Sequence, residues 1–252
     1  MSASQPEGSP PELPFKRARP SIFQRAPVTV GLMAFTGLVF VAQSISLAMT
    51  GQDWLLAYGV KARAPILNGQ WWRLITPIFL HLSLSHIFVN MFSLYALAPQ
   101  IERFFGSWRM LTFYLISGVG GVGFSLALSD NPSAGASGAI FGVVGALGTF
   151  IYLHQKFLGR MGRQQLGRIA MITLLNLALG LSPGIDNWAH IGGLVTGIGL
   201  TFWFGPRLEP VPVSEGQLSL VDRRPWAGVQ GGVAIAAVAV ISLAVAAAYA
   251  FS

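Results

Sequence analysis

No cysteine occurs in the 252 residues, so disulfides and thiol chemistry are excluded and the redox compartment leaves no trace. Charge is scarce as well. Asp, Glu, Lys and Arg make up only 10% of the chain, too little to cover a soluble surface. The first 27 residues lack the apolar stretch of a signal peptide; they are polar and proline-rich, the pattern of a cytoplasmic tail. There is no fixed-period repeat. There is no His-Glu-x-x-His run to bind zinc, and no pair of aspartates inside an apolar segment to serve an aspartyl enzyme. Neither a metal nor a cofactor is expected.

What is present is apolar: 53% of residues are hydrophobic and the mean hydropathy is +0.59. Stretches without Asp, Glu, Lys or Arg cover 28–51, 74–101, 110–129, 131–155, 169–185, 187–206 and 225–252. Most reach the roughly 20 residues that a helix needs to cross a ~30 Å hydrocarbon core. The pattern predicts an all-α polytopic membrane protein with seven spans, the fifth being the shortest. Residues 28–206 form a six-helix core behind the tail 1–27. A Pro-rich, charged linker (207–226) leads to a seventh helix of Ala and Val within 227–252. The connection 52–80 is the longest on its side, and Trp54, Trp71, Trp72 and Arg73 suit it to the headgroup zone.

The net charge of +7 raises nucleic acid as a partner, but its distribution points to the bilayer instead. With the N-terminus inside, 13 of the 16 Lys and Arg residues fall on the cytoplasmic side; only Lys61, Arg63 and Arg73 lie outside. This predicts a cytoplasmic N-terminus and an outer C-terminus, as in a bacterial plasma membrane.

Small residues concentrate in two segments, Gly135, Gly138, Gly142 and Gly145 in the fourth helix and Gly192, Gly193, Gly197 and Gly199 in the sixth. Gly138-x-x-x-Gly142 and Gly193-x-x-x-Gly197 allow close helix approach, whether for dimerisation or internal packing. Helices two, four and six all begin on the outer side. Near their starts stand His86 and Asn90, Ser137, and His190. Each alone has an ordinary explanation: packing for a Ser among glycines, interhelical hydrogen bonding for a His, a polar pair for His86 and Asn90 at i, i+4 spacing. Four costly polar groups at one depth are better explained as a site. Serine becomes a nucleophile when an adjacent base takes its proton, and histidine is the natural base near neutral pH. The backbone N–H of Ser137, at a helix start, is a candidate oxyanion donor, and His86 and Asn90 can add side-chain donors. Asp186 lies four residues before His190 at the boundary, so a Ser-His dyad is expected rather than a triad.

These residues resemble the rhomboid family of intramembrane serine proteases over about 25–206. The match runs through Trp72-Arg73, His81, His86 and Asn90, then Glu102 and Gly106. It continues with Gly135-Ala-Ser137-Gly138 and Ala189-His190-x-x-Gly193-x-x-x-Gly197. The resemblance implies Ser137 as nucleophile, His190 as general base, and His86 and Asn90 as oxyanion donors. It puts Phe141 against the catalytic histidine, without the hydroxyl of the family's alternative Tyr. His81 takes a structural role and His154 does no chemistry. Transmembrane proteins are the implied substrates, cut near the outer face. Two rivals are a proteolytically inactive rhomboid relative that binds membrane clients and a small transporter. The first usually lacks Ser or His, which this chain keeps; the second wants repeats and intramembrane carboxylates, which it lacks.

Overall fold

A computed structural model describes residues 26–214 and 217–250, so almost all of the expected tail 1–27 lies outside the described residues. The protein is an all-α polytopic membrane protein apart from one small hairpin. Its first helix, α1 (Pro27–Thr50), starts with Pro at N1 and stops at Gly51, whose φ of 73° takes the left-handed conformation. Four short pieces follow: α2 (Trp54–Gly59), α3 (Arg63–Leu67) and two 3₁₀ turns, Trp71–Leu74 and Thr76–Phe79. The Arg73 guanidinium ties them together by donating to the carbonyls of Val60 and Ala57 and to the side chain of Gln70. Then come α4 (Leu84–Phe105), α5 (Ser107–Leu128), α6 (Ser137–Leu179), α7 (Asn187–Phe204), strands β1 (Leu208–Ser214) and β2 (Gln217–Asp222), and α8 (Trp226–Ala250).

The α1, α5, α6 and α8 helices are long and apolar enough to cross a membrane. Both α4 and α7 fall short of that apolarity, and they carry His86, Asn90, Asn187 and His190. The 43-residue α6 is two rods. At Gly159 (φ 57°, ψ −136°) the helix breaks, and a Cβ on Gly148 would lie 3.7–3.8 Å from Ile169 and Leu166. Rods 137–158 and 160–179 are therefore antiparallel, which makes seven long rods among the described residues. The predicted fifth helix thus starts at Arg160 rather than Ile169, with Arg160, Arg163 and Arg168 inside its first turns. The second predicted helix begins at Leu84, a few residues past the connection expected at 52–80.

The centre of the molecule is where α5, α6 and α7 meet on glycine. A Cβ on Gly121 would lie 2.7 Å from the Ala189 carbonyl oxygen, one on Gly192 2.7 Å from that of Gly120, and one on Gly145 2.6 Å from that of Leu194. One on Gly193 or Gly197 would collide with the carbonyl of Gly138 or Gly142 respectively. Close backbone approach is what small residues allow in lipid, where burial of apolar surface drives little association. Beside these seams, α8 packs on α5 through Ala244 and Ala248.

The end of the molecule away from Ser137 is organised by buried polar groups. The Glu102 carboxylate accepts the N–H groups of Val28 and Thr29, both at 2.8 Å, and the hydroxyls of Thr29 (2.7 Å) and Ser107 (2.6 Å). A carboxylate at these orphan donors complements the N-terminus of α1. Within the segment expected to be a linker at 207–226 lies the antiparallel β1–β2 hairpin, pairing Leu208 with Asp222. Asp222 holds it closed by accepting from the backbone N–H groups of Arg207 and Arg224 and from the Arg109 guanidinium. His154 braces the same hairpin: its Nδ1 faces the Phe150 carbonyl at 2.7 Å and its Nε2 accepts from the Leu208 N–H at 2.9 Å.

Candidate active site

The site is built where three helix starts converge. Ser137 is the first residue of α6, so its backbone N–H has no acceptor within the helix. The chain reaches it through an extended lead-in. Ser133 forms a two-way backbone bridge with Lys61, and the Gly135 N–H donates to the Pro77 carbonyl at 2.8 Å. Gly135 sits at φ 144°, and a Cβ there would lie 2.8 Å from the His86 ring. Glycine is what lets His86 lie against this backbone beside the serine hydroxyl.

His190 enters from the first turn of α7. Its Nε2 is 2.9 Å from Ser137 Oγ. The imidazole stacks face to face on Phe141, with ring centroids 4.4 Å apart and planes 6° from parallel. That ring contact fixes the imidazole plane while leaving the nitrogen edge free for Ser137. Its Nδ1 has no hydrogen-bond partner among the described residues. Among the described residues no carboxylate hydrogen-bonds to the His190 ring. Asp186 is occupied elsewhere: Oδ1 caps α7 by accepting the Ala189 N–H at 3.0 Å.

Above the pair opens a cavity of about 750 Å³, lined by Ser137, His190, His86, Asn90 and Phe141, with Asn176 and Leu179 from the far end of α6. Asn90 is 4% exposed, and its Nδ2 donor is buried without a partner among the described residues. Leaving an amide donor unpaired costs about 1–3 kcal/mol, so its place on the wall of a cavity is informative. His81 is buried behind His86, with ring centroids 5.0 Å apart; its backbone is held by Gln43, and its Nε2 faces the Ala136 N–H at 3.5 Å. The sequence residues thus come together as a set: Ser137, His190, His86, Asn90, Phe141, and the glycines at 135, 138, 193 and 197. His154 is at the other end. Sequence reasoning missed the polar groups behind the site, Lys61 and Ser125, and noted Asp186 only as a boundary residue.

A family model described as a rhomboid domain matches residues 68–207. Rhomboid protease GluP of Bacillus subtilis is 38% identical over 186 residues, covering 72% of this chain and 36% of that protein. RHOMBOID-like protein 4 of Arabidopsis thaliana is 37% identical over 145 residues, 57% of this chain and 36% of that protein. Putative rhomboid protease YdcA of Bacillus subtilis is 37% identical over 142 residues, 54% of this chain and 69% of that protein. The chain thus spans little more than a third of the first two relatives' length. The matched residues hold the convergent helix starts and the glycine seams, and this chain belongs to the rhomboid family.

Proposed function

We propose that the protein is an intramembrane serine endopeptidase that cuts transmembrane segments of other membrane proteins near the outer face of a bacterial plasma membrane. The observation that carries this reading is the 2.9 Å contact between His190 Nε2 and Ser137 Oγ at the base of a cavity. Ser137 Oγ attacks the scissile carbonyl carbon while Nε2 takes the hydroxyl proton. The resulting oxyanion receives donors from Asn90 Nδ2, His86 and the Ser137 N–H. Collapse of the tetrahedral intermediate breaks the C–N bond, and the leaving amine takes the proton from imidazolium. Water then attacks the acyl-enzyme by the same proton path and restores Ser137. The N-terminus is cytoplasmic in this reading, which puts the site on the outer side and the basic end inside.

A peptide bond in a regular helix is shielded, and opening it in lipid costs several kcal/mol per unsatisfied backbone group. Cleavage is therefore expected where Gly, Pro or polar residues weaken the outer end of a substrate helix. The test is purified protein with a single-pass reporter, products mapped by mass spectrometry. Cuts beside a small residue at the outer end, lost when the weak segment is changed to Leu, support the reading. Cuts at the cytoplasmic end overturn the orientation, undiminished cutting of the Leu variant overturns the unwinding requirement, and an uncut reporter favours a client-binding relative.

The donors have their own expected result. Asn90→Ala and His86→Ala should each slow turnover by about 10²–10³, the usual cost of one oxyanion donor. The double variant should lose less than the product of the two, because the donors serve one oxygen. Unchanged rates in both would reduce these residues to packing.

A further inference from the structure

Lys61 lies in the connection between α1 and α4, in a stretch with no residue of the dyad, yet it is 0% exposed. Its Nζ donates to Ser125 Oγ at 2.8 Å and to the Ser129 carbonyl at 3.1 Å, at the C-terminal end of α5 where a cation is favoured. Ser125, also 0% exposed, donates its own hydrogen bond to Asp186 Oδ2. Asp186 is the N-cap of α7, and its backbone carbonyl accepts the His190 N–H at 3.3 Å. An ordered chain therefore runs from ammonium to hydroxyl to carboxylate to the first turn of the helix that carries the base.

The backbone of the same lysine serves the other partner. Lys61 N–H donates to the Ser133 carbonyl at 2.9 Å, and Ser133 N–H returns a bond to the Lys61 carbonyl at 3.2 Å. Ser133 precedes the nucleophile by four residues. The lead-in to α6 and the start of α7 are thus fastened to one residue, from its two ends. Burial pushes the Lys61 ammonium pKa below its ordinary value, and Asp186 is the first charge that pulls it back up. The two charges are joined through Ser125 rather than in a direct ion pair, and removing the carboxylate would leave the buried ammonium without its counter-charge.

We infer that Lys61, acting through Ser125 and Asp186, is a positioning residue that sets the separation of Ser137 and His190. This goes beyond the protease reading and rests on it. A nucleophile and base must be held to within about 0.5 Å by a supporting shell, and a 1 Å error far from the chemistry can cost about 10²-fold. Local stability alone does not require one residue to hold both helix starts.

The experiment is the rate at which a fluorophosphonate probe labels Ser137, with kcat and KM on a transmembrane reporter and Tm recorded for each variant. Labelling needs an activated serine but no substrate unwinding. Lys61→Met should slow labelling and lower kcat by at least about tenfold, with KM little changed. Ser125→Ala is the milder cut, deleting only the linking hydroxyl, and should lower labelling severalfold in protein that remains folded. Asp186→Asn keeps the cap but removes the charge. Combined with Lys61→Met, it should add almost nothing, since the two belong to one chain. The inference is overturned if Ser125→Ala labels at the wild-type rate, if Lys61→Met changes Tm or KM but not labelling, or if the Lys61 and Asp186 losses multiply. Absence of labelling in the wild type would instead defeat the protease reading, so the two failures are distinct.

Discussion

Ser137→Ala should abolish cleavage of a transmembrane reporter while leaving the protein folded, and His190→Ala should do nearly the same. Removing either member of such a pair usually costs on the order of 10⁴–10⁶ in kcat, since each is useless without the other. The double variant should therefore be no slower than the worse single one. Ser137 stands at a helix start on a cavity wall, so losing its hydroxyl removes one hydrogen bond and creates little void; Tm should hardly move. His190 is 8% exposed and stacked on Phe141, so its truncation opens a gap and should lower Tm measurably. Circular dichroism and Tm separate that effect from chemistry. Full cleavage by well-folded Ser137→Ala protein would remove the dyad from the mechanism altogether.

The meeting of Ser137 and His190 was legible in the sequence because chain parity does the work of geometry. Helices that start on one side bring their first turns to one depth, and the glycine pairs named the faces that meet. What sits behind the dyad was not legible. Lys61, Ser125 and Asp186 are separated by 64 and 61 positions and come from a loop, a helix end and a cap. Each has an ordinary local explanation, and nothing in their spacing pairs them. The fifth helix was misplaced at its start because a charge-free window stops at Arg168, whereas the helix begins at Arg160, with its basic turns at the molecule's basic end. In the 207–226 segment the sequence shows only a Pro-rich, charged linker, with Pro210 and Pro212 among its residues. They lie two apart, so their missing donors fall on one side of β1, the side that a two-stranded ribbon leaves open. The Glu215-Gly216 pair between two sequence runs with valine and leucine was the available signal.

Not all of the glycines singled out in the sequence are equal, and this gives the second large effect. Gly193 and Gly197 in α7 rest directly on the backbone of α6: a Cβ on Gly197 collides with the Gly142 carbonyl and sits 2.7 Å from Gly142 Cα. Neither obstacle is a flexible side chain that could swing aside. Even alanine must push α7 outward, and leucine further, carrying His190 away from Ser137. Overpacking of this kind typically costs about 1–3 kcal/mol, while a shift of about 1 Å at the reacting atoms costs about 10²-fold in rate. Gly193→Ala, Gly197→Ala and the Leu variants should therefore lose activity and Tm together. Gly199, two residues further along the same helix, has nothing within 4 Å of a built Cβ. Gly199→Ala should keep full activity and an unchanged or slightly higher Tm, because alanine is the better helix former. Reporter cleavage and thermal melts on the two sets of variants decide the matter. If Gly197→Leu keeps both activity and Tm, the glycine seam does not hold the dyad together; if Gly199→Ala fails as badly as Gly197→Ala, helix propensity rather than close approach governs this face.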